Sequence, residues 1–338
     1  MIASQESPAL ERVDTCPLCG SRSLAALFRA RDRFVRGSQP WFEYSRCRAC
    51  GVVFESVRPP AGDAARYYPD SYSPYNPDEE GARVRGLRRA LAATVRGANR
   101  LVGTLWPDRA KRSLRRLYRP PYPGAVLLDF GCGSEAALDR NRARGWRTNG
   151  MDFAPQVVAR VRAAGHDAWV VGEEGWNAIP DGSITLVRMN HVIEHLYEPR
   201  QTLARLRSKL EPGGTIHVAT PSASGLGLRL FQHQWYALEG PRHVIIYTPA
   251  TLRALLEQTG FVDVRILQPV VSKDLLRSLD YRREDRGRLA PGAEPAREAD
   301  PLAEALLHLP SRVLSLLGRS DHIHAIARAA PARGSGAP

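Results

Sequence analysis

Lysine is nearly absent from this 338-residue chain, long apolar runs are missing altogether, and cysteine occurs only five times. Each scarcity narrows the reading. Without an apolar stretch approaching 18 residues, no membrane-spanning helix is expected. The opening MIASQESPALERVD carries acidic residues and no hydrophobic region, so it does not read as a secretory signal, and a cytoplasmic location is the expectation. Lysine stands only at 111, 209 and 273, so nearly all of the 48 basic residues are arginine. An Ala-, Arg-, Gly- and Pro-rich chain of this kind reflects a codon bias toward G and C, which weakens the case for reading the formal charge of +13 as a nucleic-acid footprint. The excess is uneven, and the dense stretch from Arg83 to Arg119 is where an electrostatic partner, RNA or an anionic membrane surface, would dock.

What is present is the composition of a globular protein, 43% hydrophobic and 25% charged, in a chain longer than one ordinary domain. Four of the five cysteines form two CxxCG pairs, Cys16-Pro-Leu-Cys19-Gly and Cys47-Arg-Ala-Cys50-Gly. Two such pairs supply the four thiolates of a tetrahedral zinc site, and a site that consumes all four is structural. Disulfide pairing is the competing reading, which a reducing compartment disfavours. Residues 1–60 are therefore expected to form a small zinc-binding module and 61–122 a basic helical connector. Residues 123–330 are expected to form the main domain, and 331–338 a disordered tail.

From Ala125 onward, strand-like and helix-like segments alternate: AVLLDF, EAALDRNRARG, WRTNGMD, PQVVARVRAAG, HDAWVV, SITLVRMN, RQTLARLRSKLEPGG and TIHVAT. Alternation of this kind implies a mainly parallel sheet covered by helices, which binds ligands at the carboxyl ends of its strands. A loop (PSASGLGLRLFQHQWYALEGPRH), a helix, a strand (FVDVRILQ), a polar stretch of about 30 residues, a second apolar helix and a last strand (HIHAIARA) follow.

The first strand of this domain ends in Asp129-Phe130-Gly131-Cys132-Gly133-Ser134, directly before a helix. Glycines there let a ligand approach the backbone at the positive end of the helix, and Asp152 ends the next strand, placed to accept ribose hydroxyls. Ala136 occupies the last place of a GxGxxG pattern, which argues against a dinucleotide oxidoreductase. DFGCGS instead resembles motif I of class I S-adenosylmethionine-dependent methyltransferases. The stretch MNHVIEHLYEP and the later PRHVIIYTPATLRALLEQTGF are similar to segments of a broad group of these enzymes that often bears an N-terminal zinc knuckle.

The resemblance implies an α/β, Rossmann-like, seven-stranded and mainly parallel sheet behind a zinc ribbon. It implies S-adenosylmethionine as methyl donor and Zn²⁺ as a structural ion. The expected cofactor contacts are Asp129, Gly131, Cys132, Gly133, Asp152, Glu173, Asn190 and His191. A small-molecule or glycan acceptor in bacterial polysaccharide or natural-product assembly is implied as well. Members usually have a glycine where this chain has Glu135.

His191-Val-Ile-Glu194-His195 also fits the HxxEH pattern of inverted zinc proteases, but those histidines belong in a helix, whereas here a strand precedes them. As bases for removing an acceptor proton, His243, His191 and His195 qualify, with Glu194 orienting a neighbouring imidazole. His243 is favoured because Pro241-Arg242-His243 lies in the loop where acceptors sit. Arg242 is expected to bind an acceptor anion, and Trp235 and Tyr236 to pack on a sugar or aromatic face. Two other functions stay open: an RNA methyltransferase, although Thr220-Pro221-Ser222 replaces the Asn/Asp-Pro-Pro-aromatic motif of base methylation, and an inactive scaffold on account of Glu135.

Overall fold

The computed structural model describes residues 9–34, 40–68, 91, 93–99, 108–287 and 301–330. The expected tail 331–338 and much of the basic stretch, residues 83–90 and 100–107, lie outside the described residues. Near the N-terminus, β1 (Glu11–Arg12), β2 (Leu24–Ala30), β3 (Phe42–Cys47) and β4 (Val53–Arg58) form an antiparallel sheet in the order β1-β4-β3-β2. The main sheet is built from β5 (Val126–Phe130), β6 (Arg147–Asp152), β7 (Asp167–Val170), β8 (Ile184–Asn190) and β9 (Leu210–Pro221). After the two-residue β10 (Ile245–Ile246), β11 (Phe261–Leu267) and β12 (His322–Ala329) complete it.

The seven strands run in the order β11-β12-β9-β8-β5-β6-β7. Only β12 runs against its neighbours. In the parallel part, β5 is apolar apart from Asp129 and buries Leu127, Leu128 and Phe130 completely, as a strand covered on both faces must. From β5 the chain steps outward to β6 on one side and later returns to β8 on the other, which opens a crevice at the carboxyl ends.

Helices cover the sheet through short apolar stripes. Helix Pro155–Ala163 buries Val157, Val158 and Val161, and helix Pro199–Lys209 buries Leu203 and Leu206. Helix Pro249–Gln258 shows how local sequence sets its ends. Thr248 caps it reciprocally with Thr251, Pro249 opens it, and Gly260 at φ +85 leaves it. A Cβ on Gly260 would also stand 2.7 Å from the Arg207 side chain.

Three features differ from the sequence reading. The loop after β9 contains a helix, Leu226–Phe231, which buries Leu228 and Phe231. The polar stretch beyond residue 270 contains helix Lys273–Asp285, whose spacing of Leu275, Ser278 and Tyr281 makes one buried stripe within a mostly charged sequence. The cysteine module and the main domain also share backbone hydrogen bonds. β10 pairs antiparallel with β4, Ile245 opposite Phe54 and Ile246 opposite Val53. Cys16, Leu18, Cys47, Val52 and Phe54 share one continuous core with Ile216, Val218, Ile245 and Leu252 of the main domain.

Candidate active site

A cavity of about 1170 Å³ opens at the carboxyl edge of the parallel strands. One end is the glycine loop. Gly131 takes φ +71 and donates its amide to the Met151 carbonyl at 2.7 Å, and a Cβ there would lie 2.4 Å from Val192 Cγ2. Gly133, at φ +64, donates to Asp152 Oδ2 at 2.8 Å, and the Ala154 amide donates to Oδ1 at 2.9 Å. Asp152 thus ties the loop to the end of β6 while lining the cavity. Burial raises its pKa against these two donors. Cys132, Asn190 and His191 line the cavity as expected, with Phe153 and Trp176 as further aromatic walls.

Three residues read from the sequence near this end behave otherwise. Asp129 is fully buried and absent from the cavity wall. Both its oxygens accept from Arg188 Nη1, at 2.6 and 2.7 Å, so Asp129 positions Arg188, which does line the cavity. Glu173 opens helix Glu173–Ala178 at the surface, paired with Arg205 and outside the wall. Glu135 also lies off the wall, 3.3 Å from Arg160, whose guanidinium donates to the Gly133 carbonyl. Its charge is therefore met by a cation beside the loop rather than turned on a ligand within it.

The other end gathers histidines. β8 stops at Asn190 and His191 takes φ +55, a left-handed conformation that is unfavourable for a histidine and turns the chain across the sheet edge. Glu194, with no exposed surface, lies 3.1 Å from His191 Nδ1 and 3.9 Å from His243 Nε2. Burial raises its pKa, but the hydrogen bond with His191 and the charges of His191, His243 and His195 together outweigh that and hold the carboxyl at about 2. His195 Nδ1 lies 3.0 Å from the Arg242 carbonyl and 2.8 Å from the Tyr68 hydroxyl. His243 Nδ1 lies 2.8 Å from the Ala237 carbonyl. A carbonyl only accepts, so Nδ1 carries the hydrogen in both rings and Nε2 keeps its lone pair. Burial brings both imidazoles down to about 4, so both are neutral at pH 7.

Tyr236 lines this end, its amide donating to Ser278 Oγ at 2.9 Å. Trp235 and Arg242 do not. Trp235 is 1% exposed and packs in the core with Phe42, Tyr44 and Leu228. Arg242 is buried, and its two terminal nitrogens meet Asp32 at 2.9 and 2.8 Å while one also donates to the Tyr67 carbonyl. The loop's arginine is thereby spent on anchoring the N-terminal module, and an acceptor anion is not its partner. Residues missed in the sequence are Tyr68, Glu239, Asp274 and His322, all on the cavity wall. One signal was there for His322: an antiparallel last strand begins at the edge where its parallel neighbours end, and His322 stands opposite Pro221, the last residue of β9.

The four cysteines of the CxxCG pairs lie away from the cavity wall. The Sγ atoms of Cys16 and Cys50 are 3.6 Å apart, as are those of Cys19 and Cys47, and all four lie within 4.8 Å of one another. A tetrahedron with metal–sulfur bonds of about 2.3 Å has edges of about 3.8 Å. All five cysteines are free. In each knuckle the glycine, Gly20 or Gly51, takes a positive φ and donates its amide to the carbonyl of the first cysteine at 2.9 Å. Donor set and spacing fit a zinc ion.

Comparison with known proteins follows this geometry. The family model of a methyltransferase domain matches residues 104–266, which span the glycine loop, Asp152 and the histidine segment. Residues 104–266 carry a methyltransferase domain. The match begins beyond the four clustered cysteines, so it does not cover them. The chain is 32% identical to the malonyl-[acyl-carrier protein] O-methyltransferase of Serratia marcescens over 132 residues, 38% of this chain and 51% of that protein. It is 28% identical to a ubiquinone biosynthesis O-methyltransferase of Xanthomonas campestris over 108 residues, 30% of this chain and 45% of that one. The chain thus spans about half the length of these curated relatives. A solved S-adenosylmethionine-dependent methyltransferase from Archaeoglobus fulgidus aligns at a TM-score of 0.43 and 20% identity, covering 72% of this chain and 95% of that one. No helix among the described residues is long and apolar enough to cross a membrane.

Proposed function

We propose that this protein transfers the methyl group of S-adenosylmethionine to a small-molecule or glycan acceptor of polysaccharide or natural-product assembly. The observation that carries this reading is a single cavity with two unlike ends. One end is a glycine loop clamped by Asp152, and the other is a neutral His243 whose Nε2 is unprotonated. The donor, when bound, supplies an electrophilic methyl on a sulfonium. The protein's part is to align the acceptor and remove its proton. Gly131, Gly133 and Asp152 would hold the donor, with Asn190 and Cys132 beside it. His243 would take the proton, while the Ala237 carbonyl fixes its ring. Tyr236, Tyr68 and Glu239 would contact the acceptor. The two relatives named above are O-methyltransferases, which supports an oxygen nucleophile. Cys16, Cys19, Cys47 and Cys50 would hold one structural zinc ion.

The test is His243→Ala, assayed as methyl transfer to a panel of hydroxylated acceptors alongside S-adenosylmethionine binding. Turnover should fall by about 10²- to 10⁴-fold with donor affinity nearly unchanged. A base must be neutral to accept a proton. With His243 brought down to about 4, wild-type turnover should hold its level from pH 7 down to about 5 and fall only near pH 4. An acid limb near the ordinary imidazole value of about 6.5 would show that another group takes the proton.

A further inference from the structure

The cavity holds a second imidazole of opposite character, which the reading above leaves unused. His322 opens β12 and lines the wall, with its Nε2 2.5 Å from Asp274 Oδ2. Asp274 comes from the first turn of helix Lys273–Asp285 and is itself buried. The two rings at the sheet edge, His191 and His322, meet edge to face with centroids 5.0 Å apart. His191 in turn bonds Glu194, which lies next to His243. One continuous polar wall therefore runs from Asp274 through His322, His191 and Glu194 to His243.

The two ends of that wall differ in kind. His243 is oriented by a carbonyl, which lends it no charge, and is neutral. His322 is oriented by a carboxylate, and the groups facing it are mainly anionic: Asp274 bonded to its ring, Asp321 just before its strand, and Glu194 behind His191. His191 and His324 are the other titratable neighbours. Burial alone would depress His322, but these carboxylates outweigh it and raise its pKa. A buried carboxylate held at one ring nitrogen of a histidine that lines the cavity is an arrangement that keeps an imidazolium charged and oriented beside a ligand.

We propose that the His322–Asp274 pair is the acceptor pocket's anion-holding pole. The imidazolium donates its Nδ1–H to the acceptor oxygen that becomes negative as His243 removes its proton. This rests on the reading of the cavity as a methyl-transfer site. The acceptor class that follows is an acidic hydroxyl, a phenol or an enol, whose oxyanion is stable enough to be held before transfer. Bond and proton balance closes within the named groups. The O–H bond breaks to His243 Nε2, and the oxygen's electron pair forms the bond to the methyl carbon. The sulfonium carbon–sulfur bond breaks with its pair going to sulfur, and His322 keeps its proton throughout. Two imidazoles pushed apart in pKa within one pocket are what such a division of labour requires.

The full-length protein saturated with S-adenosylhomocysteine would be titrated with 4-nitrophenol, whose absorbance separates phenol from phenolate. At pH 6 the wild type should bind the phenolate, and His322→Gln should bind it at least about tenfold more weakly, the loss expected for a hydrogen bond to a charged group. S-adenosylhomocysteine affinity should not change. Asp274→Asn should weaken phenolate binding in the same direction. Nitrogen-15 spectra of histidine-labelled wild type, which need no variant, should show His322 doubly protonated at pH 6 and His243 as the Nδ1–H tautomer. Phenolate binding in His322→Gln equal to wild type, or a neutral His322 in the spectra, would overturn the inference while leaving methyl transfer intact. Failure of the wild type to bind the probe at all would overturn the acceptor-pocket reading and this inference with it.

Discussion

The two ends of the cavity are made in different ways. The glycine-loop end is compact in sequence: one strand–loop–helix turn supplies Gly131 to Ser134, and the next strand supplies Asp152. Backbone amides do most of the holding. The histidine end is drawn from five separated stretches, around Tyr68, His191 to His195, Tyr236 to His243, Asp274 and His322. It is held by side chains and by the N-terminal module. The backbone around His243 is stitched from both sides: the Val244 amide donates to the Glu194 carbonyl at 2.9 Å, and the Val244 carbonyl accepts from Glu55 at 3.0 Å. Then β10 pairs with β4, and Arg242 ties to Asp32. A cofactor end built locally and an acceptor end built from distant parts would let acceptors diverge while the donor site stays fixed.

The comparison breaks first at the cysteines. In Cys47→Ser, metal content should fall from one ion per chain toward none. The acceptor end should fail more completely than the donor end, because β4 carries β10. The expected pattern is methyl transfer lost outright, with residual S-adenosylmethionine binding within about tenfold of wild type, read by metal analysis and calorimetry side by side. Equal loss at both ends would mean that the module supports the whole fold rather than one end of the site.

A smaller effect is expected at the tie itself. Asp32→Ala leaves Arg242 buried without its carboxylate partner, a change that costs about 3–5 kcal/mol for a pair of this kind. Chemical denaturation should report that loss, and turnover should fall more than donor affinity does. The smallest effect sharpens the comparison from the other side. Glu135→Gln should change S-adenosylmethionine affinity by less than about threefold, because the carboxylate is partly exposed and already faces Arg160 outside the cavity. A large gain in affinity would show that the charge reaches the ligand.

This asymmetry also explains what could be read from the sequence. The sheet, its strands and the glycine loop declare themselves through patterns spanning fewer than ten residues: AVLLDF, the glycines and the closing Asp152. Asp129 sat in the right motif but lies off the cavity wall, because Arg188, opposite it on β8, takes both its oxygens and is the residue that lines the cavity. Arg242 and Trp235 read as acceptor contacts because their loop was expected to hold the acceptor, yet both side chains turn inward to the N-terminal module, whose contact with the loop spans about 200 residues of chain. Asp274 was hidden because helix Lys273–Asp285 has one narrow buried stripe in a charged sequence, and His322 because the strand HIHAIARA, though legible, does not declare its direction, and only an antiparallel run brings its first residue to the cavity. Local chemistry was legible, and pairings set by tertiary contact were not.

The central claim is that the glycine loop and Asp152 form the site for the methyl donor. Calorimetric titration of the wild type and Asp152→Ala with S-adenosylmethionine tests it most directly. One donor should bind per wild-type chain, and binding should weaken by about 1–3 kcal/mol in the variant, the loss expected when buried hydroxyls lose a charged acceptor and the Gly133 amide loses its partner. No binding to the wild type, or unchanged affinity in Asp152→Ala, would contradict the account.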